Sequence, residues 1–288
     1  MSEPKTIFIS ADHGLSLVYF LQTDVLPALL EGGLNVVVLT DDAIREQIAK
    51  RFERPGLHIE GLRFQECRQY FETKSHLLQH WTHFLRWMGG SDRVNTNAMD
   101  GHLRQMGYEA SPRGKQIMPL IRGLTGVLRK SRLARRLLVN SQRRFTPQIY
   151  SDLFEKYQPS LVVASTPGWR WDRYLLREAA QRGIDTAAVI VGWDNPSSYR
   201  LPGAPVKWIN CWSEIQKQEL VLGSDWSPQQ VNVGGIPTYD GYFRKEWLMS
   251  REEYFALHGL DPQRKLLSFA CSFVTFSPNY ANIAALAE

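Results

Sequence analysis

Apolar residues in the first 64 positions occur in runs that alternate with an amphipathic stretch. Residues 5–10 and 34–40 are predicted β-strands, with a weaker strand near 57–64. The second run is apolar at successive positions, as is typical of a parallel strand that is covered on both faces. Residues 15–30 are predicted as a helix that ends near Gly32. This order of elements is the β-α-β pattern.

The middle of the chain, about residues 70–157, shows a different pattern. It has helical patches without clear strand signals, and it is interrupted near Gly89 and near Pro112. We predict a helical insertion here.

The alternation of strands and helices returns after this insertion. Strands are predicted at residues 160–165, 186–191, 208–212 and 230–235. One helix is predicted to begin at Thr166-Pro167 and to end at Gly183, and another covers residues 213–222. The predicted fold class is therefore α/β: a Rossmann-like parallel sheet over residues 1–235, with helices on both faces and the helical insertion at about 70–157.

The last 50 residues suggest the start of a second domain. Ser250 and Glu253 form a capping box, and the helix they begin is predicted to end near His258. A strand at 264–276 and a helix at 278–288 follow. One strand and one helix cannot bury their own faces. We expect that they either dock on the first domain or, as the favoured alternative, open a further α/β domain, with 236–263 as an interdomain linker and helix and 264–288 as the start of a truncated domain.

The composition narrows the classes of protein. Among the 288 residues no apolar run approaches the roughly 18 needed to cross a membrane, and the N-terminus is too short and mixed for a secretory signal. A cytoplasmic location is expected. Cys67, Cys211 and Cys271 form no C-x-x-C pair, which argues against a disulfide framework or a zinc site. We interpret them as small apolar residues, because none has the signature of a catalytic nucleophile.

Polar residues follow three of the predicted strands, where an open parallel sheet binds ligands. These segments are residues 11–14, 165–168 and 192–195. His13 is a candidate general base, and the alternative is a turn histidine bonded to local backbone. Asp12 or Asp194 could orient it, while Asp194 could instead begin an Asx turn. Trp193 could stack on a sugar or a base, or pack in the core.

Several motifs are absent from the sequence. It contains no G-x-G-x-x-G, no G-x-x-x-x-G-K-[ST], no G-x-S-x-G and no D-x-D. A dinucleotide fingerprint and a metal-chelated nucleotide-sugar site are therefore unsupported, and no metal or cofactor is expected.

The net charge of +5 is concentrated in one segment, since residues 110–151 hold ten Lys and Arg and no acid. Part of this segment is a predicted amphipathic helix whose apolar face includes Ile117, Leu120, Ile121, Leu124 and Leu128. The segment is either a helix with a solvated basic face or a surface for an anionic membrane; its few aromatic residues argue against nucleic acid. The candidate membrane or anion surface comprises Arg129, Lys130, Arg132, Arg135 and Arg136.

Four stretches in order carry a family resemblance: GWDN (192–195), EIQKQEL (214–220), VGGIPTYDGY (233–242) and SREEYFALHGLDP (250–262). With IFIS (7–10) and QTDVL (22–26), they resemble bacterial surface-carbohydrate proteins of the GT-B glycosyltransferase fold. That group is similar to CDP-glycerol glycerophosphotransferases and, more distantly, to UDP-N-acetylglucosamine 2-epimerases. The resemblance covers both ends of the chain well and the helical middle poorly.

The resemblance implies a transferase whose N-terminal domain holds the acceptor and whose C-terminal domain holds a nucleotide-sugar or CDP-glycerol donor. His13 is then the expected base, supported by Asp12 or Asp194. Gly14, Thr166, Trp193 and Asn195 are the expected acceptor contacts. A lipid-linked acceptor would place the protein at the inner face of the membrane. The alternatives are a nucleotide-sugar 2-epimerase-like enzyme and a non-catalytic sugar- or membrane-binding module; the oligomeric state is not predicted.

Overall fold

The computed structural model describes residues 4–198, 201–271 and 278–287. The chain divides into two compact units, Met1–Asp240 and Gly241–Glu288. The described part of the first unit contains one sheet of seven strands, all paired in parallel. The strands are β1 Thr6–Ser10, β2 Asn35–Thr40, β3 Leu57–Gly61, β4 Leu161–Ala164, β5 Asp185–Val189, β6 Trp208–Cys211 and β7 Val231–Val233.

The helices of the described residues connect these strands or follow them. They are α1 Gly14–Leu21, α2 Val25–Glu31, α3 Arg45–Phe52, α4 Phe64–Thr73, α5 His76–Met88, α6 Asn97–Glu109, α7 Pro112–Lys130, α8 Arg132–Ser141, α9 Ser151–Tyr157, α10 Asp172–Gln181, α11 Asn195–Ser198, α12 Glu214–Ser224, α13 Asp240–Phe243, α14 Arg251–Leu257 and α15 Asn279–Ala287. None of these helices has both the length and the apolar character needed to cross a membrane.

The order of the strands in the sheet is β3-β2-β1-β4-β5-β6-β7. The chain first adds strands on one side of β1 and then, after the insertion, on the other side. This is the doubly wound arrangement, and it confirms the predicted Rossmann-like α/β fold. The order reverses between β1 and β4, so a crevice is expected at the carboxyl ends of these two strands.

Alternate side chains of the strands face opposite layers of helices. Ile7 and Ile9 of β1 pack in a cluster with Leu17 and Phe20 of α1. Phe8, between them, packs in a second cluster that includes residues of α9 and α10. Because both faces of the sheet are buried, the central strands are apolar at successive positions, as the sequence pattern indicates.

The predicted helical insertion is present between β3 and β4, but it begins earlier, at Phe64. Part of it has a small core of its own, formed by Met88, Met99, Leu103, Met118 and Ile121. The insertion therefore has its own packing, which local helical periodicity predicts only in outline.

Two predicted elements differ in the structure. The helix predicted at 15–30 is two helices, α1 and α2, because the backbone between Leu21 and Val25 does not continue the first helix. Thr166-Pro167 does not begin a helix, since α10 starts only at Asp172.

The described part of the second unit contains the helices α14 and α15. The capping box is confirmed, since Ser250 Oγ accepts from the Glu253 amide at 3.1 Å and Glu253 Oε2 accepts from the Ser250 amide at 2.7 Å. The predicted helix after 278 is also present as α15. Residues 264–271 contain no strand, and the rest of that predicted strand, 272–276, lies outside the described residues. The second α/β domain stays a prediction.

Candidate active site

The crevice between β1 and β4 gathers two of the three predicted polar segments. Asp12 and His13 follow β1, and Ser165 and Thr166 follow β4. The two strands diverge in their connections: α1 covers the face that bears Ile7 and Ile9, and α10 covers the opposite face. The segments therefore meet at the point where a doubly wound sheet opens toward a ligand.

Asp12 is the centre of this cluster. Its buried carboxylate accepts hydrogen bonds from His13 Nδ1 at 2.6 Å, Ser165 Oγ at 2.8 Å and Arg170 Nε at 2.6 Å. Burial acts to raise the pKa of Asp12, but the hydrogen bond from His13 and the charge of Arg170, with further help from Ser165, lower the pKa below its ordinary value. Asp12 is therefore an ionised carboxylate that orients its neighbours.

His13 lies at the start of α1 and has the geometry of an oriented base. An ionised carboxylate only accepts hydrogen bonds, so the contact with Asp12 places a proton on Nδ1, and in the neutral ring Nε2 is then an acceptor. The side chain is 24% exposed. The backbone is fixed by Ser16, whose Oγ accepts from the His13 amide at 3.1 Å and donates to the His13 carbonyl at 2.6 Å. Of the two predicted orienting carboxylates, the one in contact with His13 is Asp12.

Arg170 is the residue of this site that the sequence reasoning missed. Its guanidinium pairs with Asp12, yet 46% of the side chain stays exposed. An arginine in the loop that follows the central strand β4 is a signal that was available in the sequence, but no motif marks it. Asp12 uses only the Nε of Arg170, and within residues 4–198, 201–271 and 278–287 the other guanidinium nitrogens have no acceptor, so they remain for a negatively charged ligand group.

The loop after β4 is fastened to its surroundings by close backbone packing and by a buried arginine. Gly203 approaches Gly168 so closely that a Cβ on Gly203 would lie 1.8 Å from the Gly168 carbonyl oxygen. Arg86 of α5 donates to the carbonyls of Leu201 at 2.8 Å and Trp169 at 3.2 Å. The insertion thus helps to position the loop that carries Arg170.

Thr166 and Asp172 form a buried pair behind the crevice. The hydroxyl of Thr166 donates to Asp172 Oδ2 at 2.5 Å and accepts from the Trp169 amide at 2.9 Å. Thr166 is buried and its hydroxyl is used internally. The structure therefore does not support the predicted contact between Thr166 and an acceptor.

Asp172 is expected to make the stability of the fold depend on pH. Burial, followed by the negative charge of Asp12, raises the pKa of Asp172 to about 7, although hydrogen bonds from Thr166 and Arg170 oppose this. The unfolded carboxyl titrates at about 3.9. Between these values the folded state holds a proton that the unfolded state lacks, so the free energy of unfolding falls as the pH rises.

The expected slope is at most about 1.4 kcal/mol per pH unit and ends above the folded pKa. Urea denaturation between about pH 5 and about pH 8 measures it. The slope should be smaller in Asp172→Asn, which keeps the side-chain shape, and unchanged in Asp185→Asn, where the carboxylate is half-exposed. Equal slopes in the wild type and Asp172→Asn would contradict the assignment.

The third predicted polar segment, residues 192–195, follows β5 and makes a set of contacts of its own. Trp193 is 74% exposed, which excludes the alternative that it packs in the core. Asp194 directly precedes the short helix α11, and its carbonyl accepts from the amides of Ser197 and Ser198 at 3.1 and 3.0 Å. Gln216 holds the segment by donating to the Trp193 carbonyl at 2.9 Å. The bonds from Ser197 and Ser198 use the backbone carbonyl of Asp194, whereas an Asx turn needs the side-chain carboxylate, which accepts from Ser198 Oγ at 3.4 Å. The Asx turn at Asp194 therefore stays a prediction.

Two further residues predicted to contact an acceptor, Gly14 and Asn195, each lie at the first position of a helix. Gly14 is exposed as the first residue of α1, with open space around the position of a Cβ. Asn195 begins α11, and its side chain lies outside the described part of the structure. Their roles stay predictions.

In the basic segment, some side chains form ion pairs inside the protein and others are exposed. Arg129 donates to Asp100 Oδ1 at 2.5 Å, and Arg135 is buried in a bidentate pair with Asp225 at 2.6 and 2.8 Å. Both charges are paired inside the protein, which the sequence pattern did not indicate, and the place of these two residues in a membrane or anion surface stays a prediction. Lys130, Arg132 and Arg136 are exposed as predicted.

The predicted apolar face of α7 is only partly buried in the structure. Ile121 and Leu128 are buried, whereas Ile117, Leu120 and Leu124 are exposed. Local periodicity identifies an apolar sector but does not say which part of it the domain covers. Contact of this segment with an anionic membrane stays a prediction.

Within the described residues, neither the cysteines nor the potential metal ligands indicate a further catalytic or metal site. Cys67 and Cys211 are buried, as predicted, and burial raises the pKa of Cys67 to about 11, which disfavours the reactive thiolate. Cys271 is exposed, which the sequence interpretation did not foresee. In residues 4–198, 201–271 and 278–287, no group of three or more His, Cys, Asp and Glu could hold a metal ion.

Comparisons with known proteins leave this site to be interpreted from its own geometry. No family model, no curated protein and no solved structure matches the chain.

Proposed function

We propose that the chain holds the acceptor in an enzyme that transfers a glycosyl or glycerophosphoryl group from a nucleotide-linked donor to a hydroxyl group. The observation that carries the proposal is the pair of Asp12 and His13 at the crevice between β1 and β4. His13 Nδ1 is held by a buried carboxylate at 2.6 Å, and its Nε2 is left as an acceptor. This is the arrangement of a carboxylate-oriented general base.

In the proposed step, His13 Nε2 takes the proton of the acceptor hydroxyl. The hydroxyl oxygen then forms the new bond to the donor's anomeric carbon, or to its phosphorus in the glycerophosphoryl case. The bond to the nucleotide breaks, and the leaving phosphate carries away the electron pair. Asp12 stabilises the imidazolium that forms.

Arg170 supports an anionic ligand group in the same crevice. Its half-exposed guanidinium lies within hydrogen-bonding distance of Asp12, so a ligand anion held by Arg170 is close to His13. An exposed tryptophan such as Trp193 offers a flat apolar face that suits a sugar ring. Both features favour a phosphorylated or glycosylated acceptor.

The test is to incubate the purified full-length protein with labelled nucleotide sugars and with CDP-glycerol, each with and without hydroxyl acceptors that include a lipid-linked sugar. The proposal expects release of nucleotide and labelling of the acceptor, both dependent on the acceptor. Epimerisation of a nucleotide sugar without transfer would instead identify an epimerase. Neither reaction with any donor would contradict the enzymatic proposal.

A further inference from the structure

We propose a second ligand site, in a cavity of the first unit lined by the α7–α8 junction and the loop between α12 and β7, that binds a phosphate group. The cavity has a volume of about 520 Å³. This volume accommodates a phosphate together with part of the molecule that carries it. Its charged lining residues are Asp92, Arg93, Arg129, Lys130, Arg132, Arg135 and Asp225.

The charge of the lining favours an anion. Five of these seven residues are basic and two are acidic. Asp225 is already neutralised by the bidentate contact with Arg135, and Arg129 is paired with Asp100 outside the lining. Arg93, Lys130 and Arg132 are exposed, and Arg132 is only loosely associated with Asp225, at 3.9 Å. Three cations can therefore turn toward one ligand.

Two residues that line the cavity also carry a buried nitrogen donor that lacks an acceptor. Arg129 Nη2 and Trp226 Nε1 are buried and have no hydrogen-bond partner among the described residues. Because both atoms are buried, a ligand in the cavity reaches them through a small rotation of the side chain. A buried donor without an acceptor costs free energy, so such a rotation toward an acceptor-rich ligand would offset part of this cost. Trp226 is shared with a neighbouring cavity of about 350 Å³, whereas Arg129 lines only the larger one of the two.

The ligand chemistry follows from these groups. A phosphate group presents several strong acceptor oxygens, and guanidinium groups bind it through two parallel hydrogen bonds. A carboxylate offers fewer acceptors to the same set of cations. Both a free phosphorylated metabolite and the head group of an anionic lipid supply the required phosphate.

This cavity is separate from the crevice that contains Asp12 and His13. Trp226 and Pro228 line the cavity and directly precede β7, whereas Asp12 and His13 directly follow β1. Because all strands are parallel, the amino end of β7 and the carboxyl end of β1 lie at opposite edges of the sheet. The two sites are therefore at different places in the fold, and this proposal does not depend on the proposed transfer.

The experiment uses two probes with the whole chain. Titration with inorganic phosphate, monitored through the Trp226 indole N–H resonance assigned with Trp226→Phe, measures binding of a free phosphate. Flotation with phosphatidylcholine vesicles, with and without phosphatidic acid, measures binding of a lipid head group. We expect a phosphate-dependent shift of the Trp226 resonance, binding that requires phosphatidic acid, or both.

Single variants decide whether such binding uses the cavity. Arg93→Gln, Lys130→Gln and Arg132→Gln should each weaken it by about tenfold, the loss expected for one charge-assisted contact. Arg136→Gln is the matched control, because Arg136 is an exposed cation of α8 that does not line this cavity. Circular dichroism confirms that the variants fold. Absence of binding to both probes, or equal weakening by Arg136→Gln, would overturn the proposal.

Discussion

Replacement of His13 by glutamine is expected to lower the rate of the proposed transfer by about 10²- to 10⁴-fold, the usual contribution of a general base. Glutamine has a similar size and polarity but cannot take up a proton near neutral pH. The contact that orients the ring, from Nδ1 to Asp12 at 2.6 Å, leaves Nε2 as the proton acceptor. Acceptor-dependent release of nucleotide, measured at saturating acceptor, reports the effect on the chemical step.

The control for this variant is His76→Gln, which changes an exposed histidine on α5. It should retain the wild-type rate. Asp12→Asn should also slow the reaction, because a neutral amide stabilises the imidazolium less well, and it should do so without a large change in the Michaelis constant. A His13→Gln variant with wild-type turnover would remove His13 from the mechanism and leave it as a turn residue.

Replacement of Arg135 by alanine is expected to lower the free energy of unfolding by about 3–5 kcal/mol, the usual cost of breaking a buried ion pair. The side chain is 5% exposed and binds both carboxylate oxygens of Asp225, at 2.6 and 2.8 Å. It also donates to the carbonyls of Leu128 and Arg129 at 2.7 and 2.8 Å. The variant therefore leaves several buried acceptors without their donor.

Arg136→Ala provides the comparison, because the next residue in the chain carries the same charge on the exposed side of α8. Its effect on stability should lie within about 0.5 kcal/mol. Urea denaturation of both variants at one pH measures the difference. Equal stability of the two variants would show that the charge of Arg135 is not used to hold α8 against the loop at Asp225.

The comparison of Arg135 with Arg136 separates two roles that the sequence could not distinguish, a buried ion pair and an exposed charge. In the sequence, the residues from Arg129 to Arg136 form one cluster of positive charge, and any of them could face a membrane. In the fold, Arg129 and Arg135 are paired with the acidic residues Asp100 and Asp225. Asp100 and Asp225 lie 29 and 90 positions away from their partners along the chain, so no local sequence pattern predicts these ion pairs.

The architecture could be predicted in most of its elements, because its signals are local. Apolar runs on both faces of a strand, glycines that end helices and a capping box at Ser250 each depend on a few adjacent residues. The failures lie where local signals conflict. Pro167 is compatible with the first turn of a helix, yet Gly168 adopts a positive φ of 80° beside Gly203, and α10 begins later at Asp172.

The sequence by itself determined the α/β class, the doubly wound succession of strands and helices, the helical insertion and the placement of Asp12 and His13 after the first strand. Hydrophobic periodicity and turn chemistry are sufficient for these features, since they are encoded by neighbours in the chain. Only the tertiary structure decided which charges meet. It joined Asp12 to Ser165 and Arg170, more than 150 positions apart, and it turned Arg129 and Arg135 inward. Such contacts depend on the order of strands in the sheet and on the packing of the insertion, which bring together residues that have no relation along the chain.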